Sequence, residues 1–185
     1  VKSIALEINI PFTVGGGINS LQDAKDILLA GADKVSINTS AIKKPKLISD
    51  IANEFGSQCV VIAIDVKLNN NEYIVYTQGG KNATSIRAID WALQAEKLGA
   101  GEILLTSMNS DGTKDGFAIE ISKKISESVN IPVIASGGAG KLEHFKQVFD
   151  QTRVSAALAA SIFNFGEISI PDLKQYLKRE NILVR

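Results

Sequence analysis

The sequence predicts an α/β fold of the TIM (β/α)8 barrel type that is incomplete and holds strands 3 to 8 of such a barrel. Short apolar, β-branched runs alternate with longer segments of helical period, which is typical of parallel strands joined by helices. Six such strands in 185 residues fit a barrel whose eight strands take about 250 residues. The small residues Ala156, Ala157, Ala159 and Ala160 suit a crowded barrel interior. We therefore expect a single (β/α) barrel domain over residues 1–185.

The first predicted elements are a strand, a helix and a second strand. Residues 11–18 (PFTVGGGI) are typical of a strand that ends in a glycine turn. The segment 20–32 predicts a helix, because its apolar side chains recur on one face, Ser20 can cap its start and Gly31 can stop it. A second strand follows at 34–40.

The next segments predict a helix, a buried strand and an insertion. Pro45 near the first turn and Gly56 at the end delimit a helix at 45–56. Residues 59–67 (CVVIAIDVK) form the clearest strand, since they are apolar on both faces as in a buried parallel sheet. The asparagine run and the alternation at 68–80 predict a small hairpin inserted in a loop.

The rest of the chain repeats the alternation of helix and strand. Helical periodicity predicts a helix at 85–100, and the apolar run EILLTSM predicts a strand at 102–108. The later elements follow the same two patterns: helix 118–129, strand 131–138, helix 141–151, strand 155–163 and helix 170–181.

The composition excludes several classes of protein. Lys+Arg and Asp+Glu are balanced at 20 each, so no basic field is available for nucleic acid or for an anionic membrane surface. No apolar stretch approaches the ~20 residues of a membrane span. The single cysteine, Cys59, excludes an internal disulfide framework and is typical of a cytoplasmic protein. No Cys, His and Asp cluster has the spacing of a metal site.

Two glycine turns give the strongest functional signal. The stretches IPFTVGGGI at 10–18 and IPVIASGGAG at 131–140 both run from Ile-Pro to a glycine pair that leads into a helix. Glycine lets backbone N–H groups approach an anion, and a helix N-terminus adds partial positive charge, so each turn suits a phosphate. For either turn alone, a tight strand-to-helix connection without a ligand explains the glycines equally well.

The repetition favours the phosphate interpretation. After each turn come a helix and a strand that ends in small polar residues, Asn38 and Thr39 in the first copy and Ser161 in the second. These strand ends offer N–H and hydroxyl donors without a carboxylate. Because strands four apart face each other across a closed barrel, the repeat predicts two anion sites on opposite sides of the mouth. A ligand with a phosphate at each end would fit them.

Asp65 is the strongest candidate for catalysis. It ends an apolar run, where an unpaired charge is costly. It would lie in the mouth between the two anion sites, where a carboxylate can act as an acid or a base. The alternative is an aspartate that caps the following loop. Thr106 and Ser107 could position substrate or a proton, and Asp111 is either a functional residue or a turn residue.

Six motifs occur in order along essentially the whole chain: FTVGGGI, GADKVSINTSA, VVIAIDVK, GAGEILLTSMNSDGTKDGF, IASGGAGKLEHF and ALAASIF. Together they resemble the cyclase-subunit family of imidazole glycerol phosphate synthase. The resemblance implies a barrel of two similar halves, a bisphosphorylated substrate and no metal or organic cofactor. It also implies that ammonia from a glutaminase partner closes an imidazole ring on phosphoribulosyl-formimino-aminoimidazole carboxamide ribonucleotide. The products are imidazole glycerol phosphate, for histidine synthesis, and aminoimidazole carboxamide ribonucleotide.

The resemblance also implies roles for the residues that match the family motifs. Asp65 matches one of two catalytic aspartates. One phosphate site is matched by Gly17, Asn38 and Thr39. The other is matched by Gly112, Gly137, Gly138 and Ser161. Thr106 and Ser136 match further substrate contacts.

Three further matches lie at the opposite end of the barrel. Lys34 and Glu102 begin their strands, where the pattern alone predicts solvated side chains. By resemblance they match two of four charged residues that gate an ammonia passage. Asp33 falls where the family docks its glutaminase.

The start of the chain departs from the family pattern. The stretch VKSIALEINIPF lacks Met and looks like the end of a helix that feeds a strand. We therefore expect the first two barrel strands, with the first catalytic aspartate and the other gate residues, to lie upstream of Val1. A chain without them should be inactive by itself and should leave the strand edges at 11–18 and 156–163 unpaired.

Two alternatives to the cyclase remain open. One is the sister isomerase of histidine synthesis, which also binds a bisphosphate and shares the glycine turns and the DGT motif. The motifs SINTSA and ALAASIF favour the cyclase. The other alternative is a non-catalytic remnant that binds a partner.

Overall fold

The computed structural model describes all 185 residues and contains eight strands. They are β1 (Thr13–Gly15), β2 (Lys34–Ile37), β3 (Val60–Asn69), β4 (Glu72–Thr77), β5 (Asn82–Arg87), β6 (Glu102–Ser107), β7 (Val133–Ser136) and β8 (Ala156–Leu158). Six of them are parallel and lie side by side in the order β1-β2-β3-β6-β7-β8. The sheet curls into part of a barrel, which confirms the predicted incomplete TIM barrel.

Nine helices accompany the strands. They are α1 (Lys2–Glu7), α2 (Leu21–Leu29), α3 (Thr39–Lys43), α4 (Lys46–Phe55), α5 (Ala88–Lys97), α6 (Ile119–Ser128), α7 (Leu142–Gln151), α8 (Ser161–Asn164) and α9 (Ile170–Arg179). The predicted caps are confirmed: the Ser20 hydroxyl accepts a hydrogen bond from the Asp23 N–H, and Gly56 ends α4 with a φ of +90°. The longest helices have ten residues, and none has the length and apolar character needed to cross a membrane.

The core lies between the outer face of the sheet and the helices. On β3, Val60, Ile62, Ile64 and Val66 alternate toward the helices and are fully buried. Burial of such side chains is the main favourable term in folding. The intervening positions point to the inner, concave face, where Val61 is buried but Ala63 and Asp65 keep some exposure. Strand alternation therefore puts polar side chains inside the barrel without burying them in the core.

Two of the predicted strands give way to short helices before their expected ends. The segment 34–40 leaves extended geometry at Asn38 (φ −127°, ψ −88°), and the segment 155–163 does so at Ala160. Each strand gives way to a short helix, α3 or α8. These helical turns place Ala41 and Ile162 in the core with no exposure, and this burial favours the turn over a longer strand. Thr39 and Ser161 are thus the first residues of helices and not the last residues of strands.

The insertion after β3 is larger than the predicted hairpin. β3, β4 and β5 form an antiparallel unit of three strands, so residues 85–87, predicted to begin a helix, are extended. The pairing of Ile74 with Arg87 and the hydrogen bond from the Thr84 hydroxyl to the Val75 carbonyl hold β5 against β4. Pairing with β4 gives the N–H groups of this segment partners that the first turn of a helix would leave without one.

Candidate active site

The carboxyl ends of the central strands bring three predicted site residues into one row. Asp65 on β3 pairs in register with Thr106 on β6, and Thr106 pairs with Ser136 on β7. Since partners in register point to the same face of a sheet, all three side chains line the concave face. The row runs across the end of the barrel where this fold places its active sites.

Asp65 is a half-buried carboxylate with one hydrogen-bond partner. The Asn38 amide donates from Nδ2 to Asp65 Oδ2 over 2.9 Å. Burial is the main effect on the Asp65 pKa and raises it, the Asn38 hydrogen bond opposes this, and the negative charge of Asp111 raises it further. The structure shows no bond from the following loop to this carboxylate, so the loop-capping alternative is not observed. A carboxyl group with a raised pKa is suited to exchanging protons with a bound molecule.

The first glycine turn forms an open pocket. Gly16 and Gly17 have φ values of +92° and +73°, and no atom lies within 4 Å of where a Cβ would sit on either residue. Asn38 and Thr39 line the same pocket. The Thr39 hydroxyl accepts a hydrogen bond from the Gln78 N–H over 2.9 Å, and its own proton stays free to donate. The pocket offers backbone and hydroxyl donors and contains no charged side chain.

The second glycine turn is buried and tightly packed. Gly137 and Gly138 have φ values of +92° and +99°, and a Cβ on Gly138 would lie 2.0 Å from the Gly116 carbonyl oxygen. Gly116 N–H also donates to the Gly138 carbonyl over 2.8 Å. The pocket beside the turn brings together the other predicted residues of the second site, Gly112 and Ser161, with Ser136, which was predicted as a further substrate contact.

The second pocket differs from the first in its charge. Asp111 and Lys114 line it, whereas the sequence predicted strand ends without a carboxylate. Lys114 Nζ is paired with Glu167, 2.7 Å from Oε2, so this cation is partly neutralised. The two glycine turns are therefore alike in backbone geometry but unlike in electrostatics.

Lys34 and Glu102 meet at the opposite end of the concave face. Lys34 Nζ lies 2.7 Å from Glu102 Oε2, and the side chains are 32% and 15% exposed. The pair joins β2 to β6 across β3, so the two residues are not the independent, solvated strand ends that the pattern alone predicts. Asp33 is exposed beside them, and its Oδ2 accepts a hydrogen bond from the Phe12 N–H over 2.8 Å.

Comparison with known proteins places the chain among enzymes of histidine biosynthesis. The family model described as histidine biosynthesis protein matches residues 1–169. This chain belongs to that family. The imidazole glycerol phosphate synthase subunit HisF of Flavobacterium johnsoniae is 56% identical over 185 residues, which is 100% of this chain and 74% of the relative. The HisF subunit of Parabacteroides distasonis gives the same figures.

A third relative agrees with these two. The HisF subunit of Clostridium botulinum (strain Okra / Type B1) is 55% identical over 187 residues and again spans the whole of this chain. The similarity to the cyclase subunit predicted from six motifs is thereby confirmed. The word subunit in these names says that the relatives work in a larger assembly.

Two residues beside the candidate site could not be singled out from the sequence pattern. Gln78 reaches Thr39 from the tip of the β4–β5 unit, and Lys114 lines the second pocket. Lys114 is the one basic residue of the SDGTKDG stretch, and a lone cation in a glycine-containing loop could have been predicted to lie near an anion site. Nothing in the local sequence marks Gln78, because its contact joins positions 39 residues apart.

Proposed function

We propose that this chain supplies the acid–base residue Asp65 and both phosphate pockets of the cyclase of imidazole glycerol phosphate synthase, a lyase of histidine biosynthesis. One observation carries the proposal: the half-buried Asp65 lies in a row of polar side chains, and a donor-rich glycine pocket lies near each end of that row. The names of the closely similar relatives support this function rather than the sister isomerase. In this proposal the reaction uses no metal or organic cofactor.

The two glycine pockets each hold one phosphate of the substrate. At the first, the N–H groups near Gly17 and the Thr39 hydroxyl donate to phosphate oxygens. At the second, the turn at Gly137 and Gly138, with Gly112 and Ser161, does the same. Two fixed phosphates stretch the ribulosyl substrate across the concave face, so its reacting centre lies over the Asp65 row.

Asp65 moves protons during ring closure. In this proposal the ammonia nitrogen bonds to the ribulosyl carbonyl carbon, whose oxygen leaves as water, and then to the formimino carbon, whose bond to the carboxamide ribonucleotide breaks. The Asp65 carboxylate takes a proton from the attacking nitrogen and gives one to the departing nitrogen of the carboxamide ribonucleotide. Thr106 and Ser136 stand beside it in register and hold the substrate by their hydroxyl groups. Burial and the Asp111 charge raise the pKa of Asp65, which favours both uptake and release of a proton by its carboxyl group.

The ammonia comes from a glutaminase partner that docks at the end of the barrel where Asp33 lies. The Lys34–Glu102 pair closes that end and opens to let ammonia pass toward Asp65. We place this assembly in the cytoplasm, and the free thiol of Cys59 is compatible with a reducing compartment.

The test compares two nitrogen sources. Turnover of the ribulosyl substrate should require ammonia, supplied either as an ammonium salt or from glutamine through the glutaminase. Turnover that does not need ammonia would contradict the cyclase and favour the isomerase.

The double variant Lys34→Met/Glu102→Gln should separate the two sources. Replacing both partners with uncharged residues leaves no unpaired charge, so we expect a stability change of only about 1 kcal/mol. Glutamine-driven turnover should fall about tenfold or more, because a gate without its ion pair no longer passes ammonia from the partner to Asp65. Ammonium-driven turnover should stay within about twofold. Equal losses with both sources would contradict the gate. The matched control is Lys46→Met/Asp50→Gln, which removes an exposed pair on α4.

A further inference from the structure

Asn38 occupies a helix-capping position without capping the helix. It directly precedes α3, where an Asn side chain commonly accepts a hydrogen bond from an N–H two or three residues later. No such bond is present. The side chain turns to the neighbouring strand, and Nδ2 donates to Asp65 Oδ2 over 2.9 Å. The position that would stabilise α3 is used to hold a carboxylate.

The carboxylate fixes which way the Asn38 amide faces. An ionised carboxylate only accepts hydrogen bonds, so the amide atom that faces Asp65 is the NH2 group. The amide oxygen, Oδ1, then faces away from Asp65. It is buried and has no hydrogen-bond partner. A buried acceptor without a donor is unfavourable and is rare in folded proteins.

An amide in this orientation is poorly suited to bind phosphate. Its donor is engaged by Asp65, and its unpaired atom is an acceptor, as are the oxygens of an ionised phosphate. We propose that Asn38 is a positioning residue for Asp65, while Thr39 and the glycine turn hold the phosphate. This inference rests on the proposed function, and it changes the role of Asn38 from phosphate ligand to support of the acid–base residue.

The groups around Asp65 give the inference an electrostatic signature. The negative charge of Asp111, in the loop after β6, raises the pKa of Asp65. Thr106 on β6 and Tyr76 on β4 are the register partners of Asp65, and Lys67 follows on the same face of β3. The hydrogen bond from Asn38 favours the ionised form of Asp65 and lowers its pKa, whereas burial and the charge of Asp111 raise it. Removing the amide therefore raises the Asp65 pKa, with the other groups unchanged.

The test is a carboxyl ¹³C NMR titration of Asp65, assigned with Asp65→Asn, together with binding of inorganic phosphate. We expect Asn38→Ala to raise the Asp65 midpoint by about one pH unit and to leave phosphate affinity within about twofold. Thr39→Val should do the reverse and weaken phosphate binding without moving the midpoint. An unmoved midpoint in Asn38→Ala, or a phosphate loss equal to that of Thr39→Val, would overturn the inference.

Two further measurements decide the role of Asn38 even if Asn38→Ala misfolds or the proposed function is wrong. In the unmodified protein, the side-chain amide resonances of Asn38 should shift with the same midpoint as Asp65, and an amide that ignores this titration would overturn the inference. The near-isosteric Asn38→Asp should raise the Asp65 midpoint further, because it adds a like charge. If Thr39→Val leaves phosphate binding intact, Thr39 is not part of a phosphate site. The titration midpoints of Asp65 still decide the role of Asn38.

Discussion

Asp65→Asn, made in a protein that also carries the first two barrel strands, is expected to abolish cyclase turnover while the protein still binds its substrate. The amide has the shape of the carboxyl group but cannot take up and return a proton, and loss of a general acid or base typically costs about 10²–10⁴-fold in rate. The two glycine pockets are untouched, so the substrate affinity should change by less than about threefold. Steady-state rates with ammonium as nitrogen source and calorimetric substrate titration measure the two quantities.

The control for this substitution is Asp90→Asn, which changes an exposed aspartate on α5 that is paired only with Arg87. It should leave rate and affinity unchanged. Retained turnover in Asp65→Asn would remove Asp65 from the mechanism. Equal losses of affinity and rate would instead make it a binding residue.

Misfolding would not account for the loss in Asp65→Asn. Burial raises the pKa of Asp65, so its ionised form is disfavoured in the folded state. The charge therefore opposes folding above the folded-state pKa and has no effect below the unfolded value near 3.8. At pH 7 the neutral amide should unfold no earlier than the unmodified protein, and thermal unfolding at that pH checks this.

Gly138→Ala should destabilise the protein far more than Gly17→Ala. A Cβ at Gly138 would lie 2.0 Å from the Gly116 carbonyl oxygen, on a backbone with a φ of +99°. Strained backbone and overpacking each cost about 1–3 kcal/mol, so we expect a loss of about 4 kcal/mol. That is a large share of the roughly 5–15 kcal/mol by which domains are stable.

Gly17→Ala is the matched control. Its Cβ would meet no atom within 4 Å, so only the positive φ is unfavourable, at about 1 kcal/mol. Urea unfolding of both variants gives the comparison. Similar losses at the two positions would contradict the packing of the β6–α6 loop on the second turn. The contrast also distinguishes how the two turns are supported, since the second is packed against Gly116 and the first has open space around it.

The sequence predicted the parallel α/β alternation because each strand and helix carries its own periodicity. It could not predict where β2 and β8 stop. The residues after them are small and compatible with either state, and the core contacts of Ala41 and Ile162 decide for a helical turn. Strand β5 was missed for a similar reason. Residues 85–87 continue smoothly into a helical pattern, and only pairing with β4 keeps them extended.

The candidate site was predictable where one residue carries the signal. Asp65 stands out because a charge ends an apolar run, and the glycine pairs stand out because they repeat. Contacts between distant segments were not predictable. The Asn38–Asp65 hydrogen bond depends on the register of β2 against β3, and the Lys114–Glu167 pair joins positions 53 residues apart.

The most direct test of the two phosphate sites is a ³¹P NMR titration of the bisphosphorylated substrate with this chain. We expect both phosphorus resonances to shift on binding. Thr39→Val should selectively reduce the shift of one phosphate and Ser161→Ala that of the other, each with an affinity loss of about tenfold. Perturbation of a single phosphate, or the same phosphate affected by both variants, would contradict the claim that the two glycine turns hold the two ends of one ligand.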